Sequence, residues 1–544
     1  MSTVFLATRP KKGSLHSEMP EILLATLNAK YLHSSFGLRY LMANLGPLQS
    51  RAAIAEYDIN QRPIDILESI LAVSPRIVGL GVYIWNANET LEVVTLLRRL
   101  RPELLVVLGG PEVSYESSEQ EITGLADYVV AGEADIAFAT LCQALLSGNP
   151  PRQKVIQAAL PELPHLQLPY SLYTDDDIRN RVLYVEASRG CPFTCEFCLS
   201  SLDIPVRQFP IEPFLRELDL LLARGALQFK FVDRTFNLNL SASTSILRFF
   251  LERLRPGLFV HFEMIPDRLP EALRTLIAQF PTGSIQLEVG VQTFDESVAR
   301  NISRRQDFTK LEENFRFLRQ HTGVHIHADL IAGLPGETLG SFAEGFDRLV
   351  GLGPQEIQVG ILKRLRGTPI VRHDREWGMV YSPMPPYEIL QNKLMNFSTL
   401  QQLRRFSRYW DLVGNSGNFV ETTPLIWAKS GSPFISFLRF SDWLFQRTRR
   451  THGIALNVLS ELLFEFLATV LELPKPEAAT TLWKDFQRVG RLEVPPFLNP
   501  FLTALLPPRK PSRRNPGPPR QTRHLALSPQ QVVNTPPIAL TTDH

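Results

Sequence analysis

Three of the four cysteines of this 544-residue chain, Cys191, Cys195 and Cys198, fall within eight residues in CxxxCxxC spacing. Soft thiolates three and four positions apart in one loop suit iron–sulfur chemistry, and three of them can take three irons of a cubane while the fourth iron stays open. An open iron can chelate the amino and carboxylate groups of a small molecule and pass it one electron, which is what reductive cleavage of a sulfonium requires. A structural zinc site needs a fourth ligand, and no Cys or His lies between Cys198 and Arg224. The remaining cysteine, Cys142, sits in the apolar run FATLCQALL and reads as a small buried hydrophobe.

Two series of elements must position these groups. From Glu21 onward, short apolar runs (EILLATLN, AAIAEYDI, RIVGLGVYI, LLVVLGGP, ADYVVAGE) alternate with amphipathic stretches up to about Leu146. Parallel strands need helical crossovers and are covered on both faces, so residues 21–150 predict a Rossmann-like, doubly wound α/β sheet. A Pro-rich connector follows from Pro150 to Pro169, and residues 151–180 read as a linker. The second series runs VLYVEA, FKFVDR, FVHFEM, IQLEVGV, HIHADLIAG and EIQVGIL. Six such units over 181–375 predict a partial (β/α)6 TIM-type barrel, whose chemistry sits at the C-terminal ends of its strands. The cysteine loop directly follows the first of them.

Beyond about residue 375 the pattern turns to helices rich in aromatic residues, a helical C-terminal domain over 376–506 without evident strand alternation. Residues 1–20 read as a loose tail. From Pro507 to His544 nine prolines leave too little apolar surface to offset the entropy of ordering, and 507–544 is expected to be disordered.

The segment RGCPFTCEFC, with the aromatic Phe197 inside CxxxCxΦC at the top of the first barrel strand, resembles the radical S-adenosylmethionine (SAM) superfamily. The resemblance covers about 180 residues. It implies a [4Fe-4S] cluster on Cys191, Cys195 and Cys198 and SAM cleaved reductively. It further implies SAM contacts from Phe197, from Asp233 in FVDRTFN, Glu263 in HFEM, Glu288 and Gln292 in LEVGVQT, Asp329 in DLIAGLPGET, and Leu365 in LRGTP. Each polar residue alone reads equally well as a solvated strand end; their recurrence at successive strands favours a site. No catalytic residue is assigned.

The first domain, with LGGPEVS at 108–114 and ADYVVAGEAD at 126–135, resembles the cobalamin-binding domain of the vitamin B12-dependent radical SAM class. Gly109 and Gly110 let the backbone approach a large ligand, and an open parallel sheet offers a crevice at its strand ends. Gly132 and Glu133 flank the same crevice, and Ser114 belongs to the same motif. The DxHxxG motif that supplies an axial histidine in the methionine synthase type is absent, so no lower ligand is carried over, and His33 reads as a loop residue. A Rossmann module that binds nothing is the competing reading. The order of domains resembles the DUF4080 group of the same class.

The resemblance implies cobalamin-dependent methylation, or another radical transformation such as cyclisation or rearrangement, of a small-molecule substrate, with an electron donor such as flavodoxin or ferredoxin. The alternative is a cobalamin- or iron–sulfur-binding regulatory or sensor protein. The methylthiotransferase branch needs a second three-cysteine cluster, for which only Cys142 is left. A balance of 57 basic and 55 acidic residues, net +2, recommends no nucleic acid partner. Clustered cysteines without a spread disulfide framework favour a reducing, cytoplasmic compartment. The most apolar later stretch, Ile454 to Leu473, carries Glu461, Glu465 and Glu472 on one helical face, so no membrane span is expected.

Overall fold

Runs of aliphatic and β-branched residues that are apolar on both faces form strands in the interior of a parallel sheet. In the computed structural model, which describes residues 19–203, 205–491, 493–502 and 518–524, the first such runs become β1 (Ile22–Asn28), β2 (Ala52–Asp58), β3 (Ile77–Gly81), β4 (Leu105–Gly109), β5 (Tyr128–Ala131) and β6 (Val155–Gln157). Their order is β2-β1-β3-β4-β5-β6, with every pair parallel. One face packs Leu23, Leu80 and Val106 against Ile66, Val93 and Leu97 of the helices Pro63–Ala72 and Ala87–Leu100. The other packs Leu24 and Val107 against Leu38 and Phe138 of the helices Phe36–Ala43 and Ala137–Leu146. The strand order reverses between β1 and β3, where an open sheet of this kind leaves a crevice at its carboxyl edge.

Strand β6 lies inside the segment that the sequence reads as a linker. Three residues between prolines carry no periodic signal, and only the register Val129↔Val155 to Ala131↔Gln157 on β5 makes them a strand. The following residues join the same sheet through a buried ion cluster. Arg39 reaches Glu56 and Asp177, both at 2.9 Å, and Arg181 reaches Glu56 at 2.8 Å. Burial raises the Glu56 carboxyl, but Arg39 and Arg181 outweigh it and hold the group below its ordinary value. Removing one partner from such a cluster strands a buried charge, at a cost of roughly 3–5 kcal/mol.

The second run of strands follows the predicted series: β7 (Leu183–Val185), then a short antiparallel pair β8 (Ser188–Arg189) and β9 (Arg207–Gln208), then β10 (Gln228–Phe231), β11 (Phe259–Met264), β12 (Ile285–Gln292), β13 (His325–Ala332) and β14 (Glu356–Ile361). The chain separates into two compact units. One holds the described residues up to Asp233 with Lys363–Pro369 and Ser382–Glu388, and the other holds the rest. In the first unit β7 and β10 pair in parallel; in the second β11 to β14 pair successively in parallel. Helix starts are written in the sequence: Asn239, Asp307, Thr338 and Asn396 each accept a backbone N–H of the first turn through the side chain, the standard N-terminal cap.

The C-terminal region opens on a feature that the sequence pattern does not show, an antiparallel pair of β15 (Val380–Tyr381) and β16 (Ile389–Gln391). Strands of two and three residues are too short to display alternation. The helices Phe397–Val413, Pro433–Thr448, Leu456–Glu465 and Lys475–Arg488 follow. Phe406, Trp410, Phe434 and Phe437 pack edge-on against Phe346 or one another at centroid distances of 4.8–5.8 Å, a preferred aromatic geometry. Asp347 accepts Ser432 Oγ at 2.5 Å and the Phe434 amide at 2.6 Å, fixing the start of the second of these helices. Among the described residues no helix is long and apolar enough to cross a membrane.

Residues 1–18 and most of the proline-rich tail lie outside the described residues. Of the stretch expected to be disordered, residues 518–524 are described, and Pro519–His524 is helical. Arg520 reaches Glu356 at 2.9 Å and Asp411 at 2.6 Å, and buried His524 donates from Nε2 to the Asn415 carbonyl at 3.0 Å. These contacts, invisible in a composition count, supply what the proline-rich sequence lacks. Burial, with repulsion from His325 beside it, lowers the His524 imidazole to about 4. Because the folded value lies below that of an unfolded histidine, this contribution to stability is complete above about pH 6.5 and is lost as pH falls toward 4. Unfolding free energies measured between pH 7 and 4 should therefore decline less in His524→Gln than in wild type, and coincident profiles would remove His524 from this role.

Candidate functional site

The cysteine loop leaves β7 through the strand pair β8 and β9. Gly190 stands at φ +90°, and a Cβ there would lie 2.7 Å from the backbone oxygens of Asp203 and Pro205. Only glycine permits that approach. The Cys191 amide donates to the Asp203 carbonyl at 2.9 Å, the Cys198 amide to Cys195 O at 3.1 Å, and Ser201 Oγ to Cys198 O at 2.6 Å. Cys191 and Cys195 are buried, while Cys198 and Phe197 are half-buried. Among the described residues no three His, Cys, Asp or Glu side chains are placed to hold one metal ion. A cubane takes one iron per thiolate, and three soft donors in one half-enclosed loop are the donor set that suits it.

Asp233, which the family resemblance assigns to SAM, is buried just beyond β10. It accepts the Ala187 amide at 3.0 Å and Ser188 Oγ at 2.5 Å, so the carboxylate braces the stem of the cysteine loop. Burial pushes it up to about 6, against the hydrogen bonds from Ser188 and Ala187. Cys142 is fully buried in its helix, and burial raises its thiol to about 12. His33 is a loop residue with Nδ1 at 2.6 Å from the Tyr184 hydroxyl.

At the carboxyl edge of the first sheet lies a cavity of about 280 Å³, walled by glycines 79, 81, 109, 110 and 132. The glycines serve two ends. At Gly110, φ +103°, a Cβ would lie 2.5 Å from Val82 O, so packing of the chain itself demands glycine. At Gly109 and Gly132 the nearest heavy atoms to an added Cβ are 3.6 and 3.8 Å away; protein atoms do not crowd these positions, and side chains there would enter the cavity. Ser114 stands behind the wall, donating to Gly110 O at 2.8 Å and accepting the Gly132 amide at 3.1 Å, which ties the ends of β4 and β5 together. This cradle fits the tail of a nucleotide-like ligand, since its volume is well below that of a whole corrinoid.

The polar side of the lining is formed by Glu133, Asp135, Glu186 and Arg189, with Tyr40 beside them. Arg189 pairs with Glu133 and Asp135, each at 2.8 Å, and with Glu186 at 2.9 Å. Its guanidinium lies 4.5 Å from the centre of the Tyr40 ring. Arg207 bonds Glu133 and lies 3.3 Å from Asp203. Burial pushes the Glu186 carboxyl up to about 7 even though Arg189 opposes it. Of these residues the sequence reading found only Glu133. The available signal was the arginine beside GC and the acidic pair in AGEAD, 54–56 positions apart, and separation of that order hides pairing.

The structure gathers Cys191, Cys195, Cys198, Phe197, Asp233, Gly109, Gly110, Ser114, Gly132 and Glu133 in one compact unit, with Leu365, whose carbonyl accepts Thr368 Oγ1 at 2.6 Å. Glu263, Glu288, Gln292 and Asp329 lie in the other. There Glu263 pairs with Arg234 at 3.1 Å and stands in register with Glu288, which is 2.9 Å from His261. Asp329 lies 3.4 Å from His327. Burial lowers the His327 imidazole, but Asp329, Glu356 and Glu288 outweigh it and keep the group above its ordinary value. Gln292 ends β12 beyond a bulge, at φ +71°.

Comparison with known proteins matches this architecture piece by piece. The B12 binding domain model covers residues 22–142, the radical SAM superfamily model 185–349, and the model of the protein of unknown function DUF4080 375–499. The chain is 26% identical over 358 residues to the cobalamin-dependent radical SAM methyltransferase TokK of Streptomyces tokunonensis, covering 58% of this chain and 52% of TokK. It is 30% identical over 305 residues to the uncharacterized methyltransferase PH0819 of Pyrococcus horikoshii, covering 50% and 64%; the chain thus spans about half to under two thirds of these relatives' lengths. Its fold is similar to that of the radical SAM methyltransferase TsrM from Kitasatospora setae with cobalamin and a [4Fe-4S] cluster bound (TM-score 0.52, 18% identity, 67% of this chain and 76% of that one). It is also similar to that of the cobalamin-dependent SAM radical enzyme OxsB with aqua-cobalamin bound (TM-score 0.58, 14% identity, 86% and 84%).

The clustered cysteine loop on the first strand of the second βα series falls inside the segment that matches the radical SAM superfamily model, residues 185–349. More narrowly, the chain carries, in order, a segment matching the B12 binding domain, the radical SAM match and a DUF4080 match at its C-terminal side. The radical SAM domain implies a [4Fe-4S] cluster and SAM, and the B12-binding domain implies cobalamin.

The glycine wall is directly testable. Gly109→Val should leave unfolding free energy within about 1 kcal/mol of wild type, because the new methyls enter open space, yet weaken hydroxocobalamin binding about tenfold. Unimpaired uptake by a folded variant would mean that the cavity is not where this ligand sits.

Proposed function

We propose that this chain is a cobalamin-dependent radical SAM methyltransferase acting on a small-molecule substrate and taking electrons from a donor such as flavodoxin or ferredoxin. The carrying observation is that the cysteine loop and the glycine-walled cavity share one wall, Arg189, within one compact unit. The relatives' names give the reaction class, and the same reading assigns residues 21–150 to the cobalamin-binding domain, 181–375 to the radical SAM barrel and 376–506 to the helical domain.

When bound, the cluster and cobalamin supply, respectively, the electron that cleaves SAM and the methyl group that is transferred. Cys191, Cys195 and Cys198 would hold the cluster, with Gly190 and the Asp203 carbonyl fixing the first thiolate. Gly109, Gly110, Gly132 and Glu133 would border the cobalamin tail, with Ser114 locking their edges. Phe197, Asp233, Glu263, Glu288, Gln292, Asp329 and Leu365 are the proposed SAM contacts, and Asp233 also braces the stem of the cysteine loop. Glu186, poised near 7, is the wall residue able to hold or release a proton at neutral pH, and the buried rings of Tyr40 and Tyr170 beside it exclude water.

Anaerobic reconstitution with iron, sulfide and hydroxocobalamin tests the reading. The expected result is about four irons per chain, retained cobalamin, and 5'-deoxyadenosine or S-adenosylhomocysteine formed from SAM under strong reductant. The Cys191, Cys195 and Cys198 triple alanine variant should keep cobalamin and lose iron and turnover. Background iron, or tightly bound zinc in its place, would overturn the assignment.

A further inference from the structure

The charge cluster around Arg189 lines the cavity and also stands at the stem of the cysteine loop, so it joins the two places. Arg189 is two residues before Cys191, and the intervening Gly190 is wedged against the backbone oxygens of Asp203 and Pro205, 2.7 Å from where a Cβ would stand. The stem of the loop therefore has little freedom to move independently of the Arg189 side chain. On its other side the guanidinium is bound to Glu133 and Asp135, which follow β5 and line the cavity beside Gly132. Arg207 closes a second path, bonding Glu133 and Asp203, the residue whose carbonyl receives the Cys191 amide. All these side chains are mostly buried, Arg189 being 13% exposed and Asp135 6%, so solvent screening does not loosen them.

We infer that Arg189 is a positioning residue that couples occupancy of the cavity to occupancy of the cysteine loop. This rests on the cofactor reading above and goes beyond it. A ligand that fills the cavity fixes the Gly132–Asp135 turn; the turn fixes the guanidinium through Glu133 and Asp135; and the guanidinium fixes the residue that feeds the first thiolate. Coupling between two sites is reciprocal, so the same network makes a filled loop favour a filled cavity. A planar fork with several donors is required, because it must serve three carboxylates at once, two on the turn after β5 and one just after β7. A lysine ammonium, compact and held by a single point of charge, cannot span them.

The test uses the full chain loaded with iron, sulfide and hydroxocobalamin, and reads iron release to a chelator under anaerobic conditions, with and without cobalamin. Wild type should lose iron about fivefold or more slowly when cobalamin is bound, in the usual range of such couplings. In Arg189→Met that ratio should fall to near one, and in Arg189→Lys to an intermediate value. Because Arg189→Met strands buried carboxylates and can fail to fold, Asp135→Asn serves as the second variant: it keeps shape, removes one link, and should also lower the ratio. A purely structural role would speed iron loss with and without cobalamin alike and leave the ratio intact, which would overturn the inference. So would a wild-type ratio of one in protein carrying both cofactors. Failure of wild type to load either cofactor would instead bring down the cofactor reading, and this inference with it.

Discussion

A guanidinium withdrawn from water is costly unless carboxylates and an aromatic face replace its hydration. Arg189 meets that condition with Glu133, Asp135, Glu186 and the Tyr40 ring, which come from the end of β5, from β7 and from the first helix. Satisfying one buried cation therefore brings three elements together around it. The cysteine loop and the cavity inherit their geometry from that requirement: the loop because Arg189 is part of its stem, the cavity because the carboxylates are part of its wall. The shift of Glu186 to about 7 reflects the same constraint, since burial there outweighs the attraction of the single nearby cation.

The parallel sheet makes this arrangement possible. Apolar packing on both faces leaves the carboxyl edge as the place where backbone and polar groups emerge together. Glycines at that edge divide the labour. Gly110 and Gly190 let backbone approach backbone, whereas Gly109 and Gly132 keep space open. A second buried ion cluster, Arg39 with Glu56 and Asp177, anchors the chain leaving this sheet and so fixes where β7, and with it the cysteine loop, begins.

In the second unit the polar residues alternate along β11, β12 and β13 with apolar ones, and Glu263, Glu288 and Asp329 each have a basic side chain nearby, Arg234, His261 and His327. The aromatic cluster around Phe346 and Trp410 supplies apolar burial for the C-terminal helices, alongside a buried ion pair of Asp485 with Arg488 at 3.1 Å. The helix at 519–524 is held the opposite way, by ion pairs from Arg520 and the neutral imidazole of His524, in a stretch too poor in apolar residues to order itself.

The sequence by itself determined what is local and periodic. Alternation of apolar runs and amphipathic stretches specified the strands of both series, and CxxxCxxC spacing specified a thiolate cluster, because each is decided within a few residues by backbone geometry or ligand reach. Elements too short to show a period, β6, β15 and β16, were not legible, nor was the helix at 519–524, whose order comes from partners more than a hundred residues away. Only the tertiary structure decided which charges meet. Arg189 and Glu133 are 56 positions apart, and nothing local distinguishes their pairing from a solvated alternative. It likewise showed Asp233 bracing the stem of the loop and put Ser114 behind the cavity wall. Pairing energy depends on distance and burial, and both are properties of the packed chain.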